Sequence, residues 1–102
     1  MKYVVEIENS LESLIPNFMN NRIKDLSMLE DLLKNKDFKQ IAFEAHSFKG
    51  VTGSYGFFKA QELGIELEKA AFDQDSTKAA SLLNELKEYF SNVEIVYVED
   101  ED

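Results

Sequence analysis

Apolar residues recur at helical spacing in four successive segments of this chain of 102 residues, and this periodicity constrains the fold most strongly. In the second segment, for example, Phe38, Ile41, Ala45 and Phe48 share one helical face. Short polar or turn-forming stretches separate the segments. Four amphipathic helices joined by such short loops are predicted to bury their apolar stripes against one another in an antiparallel bundle. The predicted helices cover residues 16 to about 34, 38 to about 53, 57 to about 72 and 76 to about 92.

Local signals indicate where the helices begin. Asp37 is a candidate N-cap for the second long helix, with Gln40 three residues later. Asn9 and Glu12 have the same spacing, which predicts a short additional helix over residues 9–15. Pro16 lacks the N–H group that an interior helical position needs, so we expect a kink or a restart there.

The sequence thus predicts an all-α fold, an up-down antiparallel four-helix bundle with a short additional N-terminal helix. The segment before the bundle is compatible with a brief strand or an irregular arm, and the segment after it alternates like a strand. Met1 and the complete set of helices favour a stand-alone protein over a piece of a longer one. We expect one domain over residues 1–102, with the bundle at about 9–92, arms at 1–8 and 93–102, and mobility at 99–102.

Composition narrows the classes of function. The formal net charge is −9, and a field of this sign repels the phosphates of nucleic acids and anionic lipid headgroups. The chain has no cysteine, which excludes disulfides and cysteine zinc sites. It has no run of about 18 apolar residues and no recognisable signal peptide. We therefore expect a cytoplasmic monomer that binds neither nucleic acid nor membranes.

The single histidine, His46, has unusually small neighbours on its own helical face. At about 100° per residue it points away from the apolar stripe, beside Ala42, Lys49, Gly50 and Gly53. Glycine inside a helix costs roughly 0.5–1 kcal/mol relative to alanine, so two glycines here weaken the helix without a packing gain. Such a bare patch would let another protein approach the ring. Neutral imidazole is a competent nucleophile, and Lys49 supplies a cation one turn away that could offset phosphoryl charge.

The stretch from Ala45 to Gly50, AHSFKG, followed by Gly56-Phe57, resembles the signature of histidine phosphotransfer (HPt) domains. The segment HSFKGVTGSYGF is especially similar to the phosphotransfer domain of chemotaxis histidine kinases. The resemblance implies a four-helix bundle with the histidine exposed midway along the second bundle helix. It also implies phosphorylation on the Nε2 nitrogen and no cofactor bound by this chain.

The resemblance further implies that Glu68, 22 residues after His46, lies on the next helix and accepts a hydrogen bond from the other ring nitrogen. The chemistry supports this role. A carboxylate that accepts from Nδ1–H leaves the Nε2 lone pair free and stabilises the positive charge that develops as Nε2 attacks. The alternative is an ordinary surface glutamate.

A docking face for the partner is expected around His46. Gly53 has two interpretations, since it either clears this face or loosens the end of the helix. Arg22 either lines the face or forms a surface salt bridge. Gly56 is expected to be a structural turn residue. The candidate docking residues are Ala42, Phe43, Gly50, Gly53, Arg22 and Phe57.

The predicted function is that of a phosphotransfer intermediate. No glycine-rich nucleotide loop is present, so no autonomous kinase activity is expected. His46 would accept a phosphoryl group from the aspartyl phosphate of a response-regulator receiver domain, or from a sensor kinase, and pass it to another receiver. Mg²⁺ would be bound by the receiver. The alternative is a pseudo-HPt adaptor that docks without using His46. A metal-binding bundle fails on ligand count, with one histidine and no cysteine.

Overall fold

The computed structural model describes residues 3–99, in which four long helices follow one another between two short strands. Each long helix contacts the next along the chain and the last contacts the first, so the helices form a closed ring around the core. The predicted four-helix bundle is confirmed. The elements are β1 (Tyr3–Glu8), a 3₁₀ segment (Asn9–Leu14), α1 (Ile15–Lys34), α2 (Phe38–Ser54), α3 (Phe58–Phe72), α4 (Ser76–Asn92) and β2 (Val93–Val98).

The three loops between the long helices share one backbone form. Each has three residues, of which the middle one has a positive φ, and the N–H of the third bonds a carbonyl in the last turn of the preceding helix. Loops this short reverse the chain and make consecutive helices antiparallel neighbours. The middle residues are Lys36 (φ 54°), Gly56 (φ 89°) and Gln74 (φ 54°).

Aspartate caps start two of the helices. The side chain of Asp37 accepts a hydrogen bond from the backbone N–H of Gln40 at 3.2 Å, as its spacing predicts. Asp75 caps α4 in the same way through the N–H of Lys78 at 3.0 Å. These caps satisfy N–H groups that have no partner within the helix.

The predicted apolar stripes of α2, α3 and α4 lie in the core. Phe38 at the start of α2 is only half-buried, and Ile23 on α1 is 53% exposed. The bundle thus buries a continuous set of stripe residues, which provides its main stabilisation. The buried members of the predicted stripes are Phe18, Leu26, Leu29, Ile41, Ala45, Phe48, Thr52, Ala60, Leu63, Leu67, Ala71, Ala79, Leu82, Leu83, Leu86 and Phe90.

The all-α prediction is incomplete, because β1 and β2 pair as a parallel two-stranded sheet in the register Tyr3↔Val93 to Glu8↔Val98. Parallel strands need a long crossover, and here the whole bundle provides it. The alternation of β1 places Val5 and Ile7 in the core, and the ring of Tyr3 lies 4.8 Å from that of Tyr89.

The additional N-terminal α-helix is not confirmed. Residues Asn9–Leu14 form a 3₁₀ segment instead, and Asn9 provides no side-chain cap. Pro16 lies in the first turn of α1, where its missing N–H has no helical partner to lose. Of the tail expected to be mobile, residues 100–102 lie outside the described residues. Among the helices of residues 3–99, none combines the length and apolar character needed to cross a membrane.

Candidate functional site

His46 projects from the middle of α2 with 69% of its side chain exposed. Four residues later, Gly50 is also exposed, and a Cβ built on it would meet no atom within 4 Å. The backbone of Gly50 has no positive φ that would require glycine. The ring is therefore accessible from outside, next to a glycine whose missing side chain leaves open space.

Glu68 on α3 binds both His46 and Lys49. Its Oε2 lies 3.0 Å from His46 Nδ1, and its Oε1 accepts a hydrogen bond from Lys49 Nζ at 2.6 Å. Lys49 follows His46 by nearly one turn on α2, so both partners reach the same carboxylate across the α2–α3 seam. We call these three residues the histidine cluster.

The carboxylate fixes the chemical form of the ring. An ionised carboxylate can only accept hydrogen bonds, so neutral His46 carries its proton on Nδ1 and has a free lone pair on Nε2 of an exposed side chain. The hydrogen bond from Lys49 is the largest cause that lowers the pKa of Glu68 below its ordinary value of 4.5, and the bond with His46 acts in the same direction. Glu68 is thus ionised at neutral pH and can stabilise positive charge on the ring.

His46, Lys49 and Glu68, all three predicted from the sequence as site residues, lie together in the structure, whereas the ion pair of Lys49 with Glu68 was not predicted. The sequence-based prediction also passed over one further residue. It did not single out Gly64, which is buried on α3 four residues before Glu68, against Phe48 and Lys49 of α2. The available signal was an interior glycine one turn before the orienting carboxylate.

The candidate docking residues divide between exposed and buried positions. Phe43 is 66% exposed, although it is a large apolar side chain. Ala42 is buried, so its small side chain contributes to packing rather than to an open face. Gly53 does not clear a surface, because the side chain of Gln61 occupies the space where its Cβ would lie. Gly56 adopts the left-handed conformation expected of a turn residue.

The docking role predicted for Phe57 is wrong. Its side chain has 0% exposure, and its ring stacks on that of Phe18 at 4.8 Å. Phe57 is the residue before α3 rather than its first residue, and the loop turns it into the core. The exposed aromatic residue here is its neighbour Phe58.

Arg22 forms the ion pair that was the alternative to a docking role. Its Nε donates to Asp25 Oδ2 at 2.8 Å, and its guanidinium lies 5.0 Å from the centre of the Phe18 ring. Arg22 therefore packs against its own helix.

Comparison with known proteins assigns the family. A model of the Hpt domain matches residues 13–95, a stretch that contains all four long helices and the histidine cluster. No curated protein and no solved structure matches the chain. Since the match covers well over half of the sequence, the chain belongs to the Hpt domain family, whose members take part in histidine phosphotransfer in phosphorelays.

Proposed function

We propose that His46 of this chain accepts a phosphoryl group on Nε2 and passes it to the aspartate of a receiver domain. The donor is the aspartyl phosphate of another receiver or a sensor histidine kinase. The observation that carries this proposal is the exposed imidazole whose Nδ1 is bound by an ionised carboxylate at 3.0 Å. This arrangement provides a nucleophile in the correct tautomer before any partner binds.

The proposed transfer step uses the arrangement of His46 and Glu68. The Nε2 lone pair attacks the phosphorus atom in line, the Nε2–P bond forms, and the bond from phosphorus to the aspartyl oxygen breaks. The donor carboxylate leaves with the electron pair. Nδ1 keeps its proton, so the ring becomes positively charged and Glu68 Oε2 stabilises that charge. The reverse step to a second receiver uses the same contacts.

Lys49 has two tasks in this proposal. In the present arrangement its ammonium pairs with Glu68 and lowers the pKa of that carboxyl group. An ammonium has three donors, so Lys49 can retain Glu68 while a second N–H reaches a phosphoryl oxygen on His46, nearly one turn away.

The partner would dock on the histidine face, which we define as Phe43, His46 and Gly50. Phe43 provides apolar contact area, and Gly50 lets the receiver approach the ring closely. Mg²⁺ and the acidic pocket of the receiver would supply most of the stabilisation of transition-state charge. We propose that this chain itself binds no cofactor.

The proposal is tested by incubating the chain with a phosphorylated receiver domain. Wild-type protein should acquire a label that is labile in acid and stable in base, as expected of phosphohistidine, and His46→Gln should acquire none. A wild-type chain that binds the receiver without acquiring label would favour the adaptor alternative. Label on His46→Gln would contradict the assignment of His46.

The histidine face is tested separately by Gly50→Leu, which places a side chain in the open space beside the ring. Transfer from a receiver should slow at least about tenfold, whereas phosphorylation by the small donor phosphoramidate should change little. Ser81→Leu, at an exposed position on α4, is the matched control and should transfer normally. Equal rates of transfer from the receiver for the two leucine variants would contradict docking on the histidine face.

A further inference from the structure

Gly64 on α3 packs against the backbone of α2, whereas the Cβ space of Gly53 on α2 is occupied only by the flexible end of the Gln61 side chain. A Cβ built on Gly64 would lie 3.1 Å from the Cβ and 3.4 Å from the Cα of Lys49, and 3.2 Å from Cδ1 of Phe48. The Cα and Cβ atoms of Lys49 are fixed by the backbone of α2, so they cannot rotate away. Even a methyl group at position 64 would therefore require α2 and α3 to shift by a few tenths of an ångström.

The backbone gives no other reason for glycine at this position. Among the described glycines only Gly56 has a positive φ, so residue 64 has helical angles that any residue could adopt. Glycine weakens a helix relative to alanine. The advantage of glycine at position 64 is therefore the close approach of the two helices. Gly50 differs, because a Cβ there would meet open space.

The close approach occurs at the histidine cluster. Glu68 follows Gly64 by four residues, so it lies on the same face of α3, one turn further along. Lys49, which packs against Gly64, donates to Glu68 Oε1, and His46 three residues earlier bonds Oε2. The separation of the helices at Gly64 thus sets how far the carboxylate lies from both partners.

We propose that Gly64 is a positioning residue for phosphotransfer, which acts by holding α2 and α3 close enough for Glu68 to fix the His46 ring. This inference rests on the proposed function. A larger residue at position 64 lengthens the bond to Nδ1 and releases the ring to the tautomer that carries its proton on Nε2. That tautomer has no free lone pair at the exposed nitrogen.

The test compares Gly64→Ala with wild-type protein in two measurements. The first is the ¹⁵N NMR spectrum of the neutral imidazole, which is unambiguous because the chain has one histidine. It should show Nδ1–H in wild type and a mixture in Gly64→Ala, shifted towards the spectrum of Glu68→Ala. The second is phosphorylation by phosphoramidate, which requires no docking and should be about tenfold slower in Gly64→Ala.

A control variant separates positioning from general overpacking. Ala79→Val enlarges another buried residue, on α4, and should lower stability without changing the tautomer or the rate. If Gly64→Ala does not fold, the double variant Phe48→Leu with Gly64→Ala removes the contact with the aromatic ring and retains that with Lys49. The same two changes are then expected of the double variant.

The outcomes distinguish this inference from the function on which it rests. A folded Gly64 variant with wild-type tautomer and rate overturns the positioning role, even if wild-type protein is phosphorylated normally. A wild-type protein that acquires no phosphohistidine overturns the proposed function. In that case the ring tautomer still decides whether Gly64 positions Glu68.

Discussion

The two nitrogen atoms of the His46 ring have different surroundings. Nδ1 lies 3.0 Å from a carboxylate oxygen on the neighbouring helix. The His46 side chain as a whole is nevertheless 69% exposed. Because a carboxylate accepts and never donates when ionised, it assigns the proton to Nδ1 and the nucleophilic lone pair to Nε2. A single contact thus determines which nitrogen can react.

Substitution of Glu68 should slow phosphotransfer without unfolding the bundle. Glu68→Ala removes a hydrogen bond to a ring that, in the proposed step, becomes charged during transfer, and such bonds contribute about 1.5–3 kcal/mol, which corresponds to roughly 10–150-fold in rate. Glu68→Gln keeps an acceptor for Nδ1–H but loses the charge, so its rate should be intermediate. Single-turnover transfer from a phosphorylated receiver measures both. Unchanged rates in the two variants would exclude the orienting role.

The same carboxylate should make stability depend on pH. Lys49 lowers the pKa of Glu68 below 4.5 in the folded state, so ionised Glu68 contributes stability that is fully present above about pH 4.5. This contribution is lost as the pH falls through the lowered pKa of the folded state. Urea unfolding from about pH 7 to about pH 3 should show a steeper loss of stability for wild type than for Glu68→Gln. Parallel curves would contradict the ion pair.

Residue roles were predictable from sequence where helical spacing determines them. His46 and Lys49 are nearly one turn apart on one helix, and the resemblance supplied Glu68. The burial of Phe57 depends on how a three-residue loop turns into α3, and the close approach at Gly64 depends on the distance between two helices. Both are tertiary properties, and spacing along the chain does not report them.

At the scale of elements, local chemistry determines the helices and long-range pairing determines the strands. The polar break and the Asp37 cap were visible in the sequence, so the predicted start of α2 at residue 38 is the observed one. The apolar stripe placed its end at about residue 53, one residue before the observed Ser54. Alternation in β2 was also visible. Its partner β1 lies at the other end of the chain, and no local signal predicts a contact across four helices.

The strand pair should contribute substantially to stability through Ile7. This side chain has 1% exposure, so Ile7→Ala should lower the free energy of unfolding by about 2–5 kcal/mol through lost burial and the resulting cavity. Val4 lies on the opposite face of β1 with 62% exposure, and Val4→Ala is the matched control, with an expected change within about 0.5 kcal/mol. Denaturant unfolding measures both. A similar small effect for the two variants would mean that β1 does not pack on the bundle.

At the scale of the whole molecule, the excess of acidic over basic residues opposes the compact state. The chain has 20 acidic and 11 basic residues, and the resulting net charge of −9 repels itself within the compact state. The histidine cluster differs locally, because Lys49 neutralises the carboxylate that faces the ring. The phosphate chemistry proposed for His46 therefore depends on a local cation within an acidic protein.

Screening of this repulsion should stabilise the fold. Raising NaCl from about 10 mM to about 150 mM shortens the Debye length from about 30 Å to about 8 Å, and the melting temperature should rise by roughly a few degrees. The double variant Glu85→Gln with Glu88→Gln removes two exposed charges on α4 and should respond less to salt. A melting temperature that falls with added NaCl would show that attractive ion pairs dominate instead.

The most direct test of the whole account is to locate the phosphorus atom on the ring. The chain should be labelled with ¹⁵N, phosphorylated by its receiver and examined by NMR for coupling between phosphorus and the imidazole nitrogens. We predict that phosphorus is bonded to Nε2 of His46, while Nδ1 keeps its proton towards Glu68. Phosphorus on Nδ1, or a receiver-treated chain whose only histidine remains unmodified, would contradict the account.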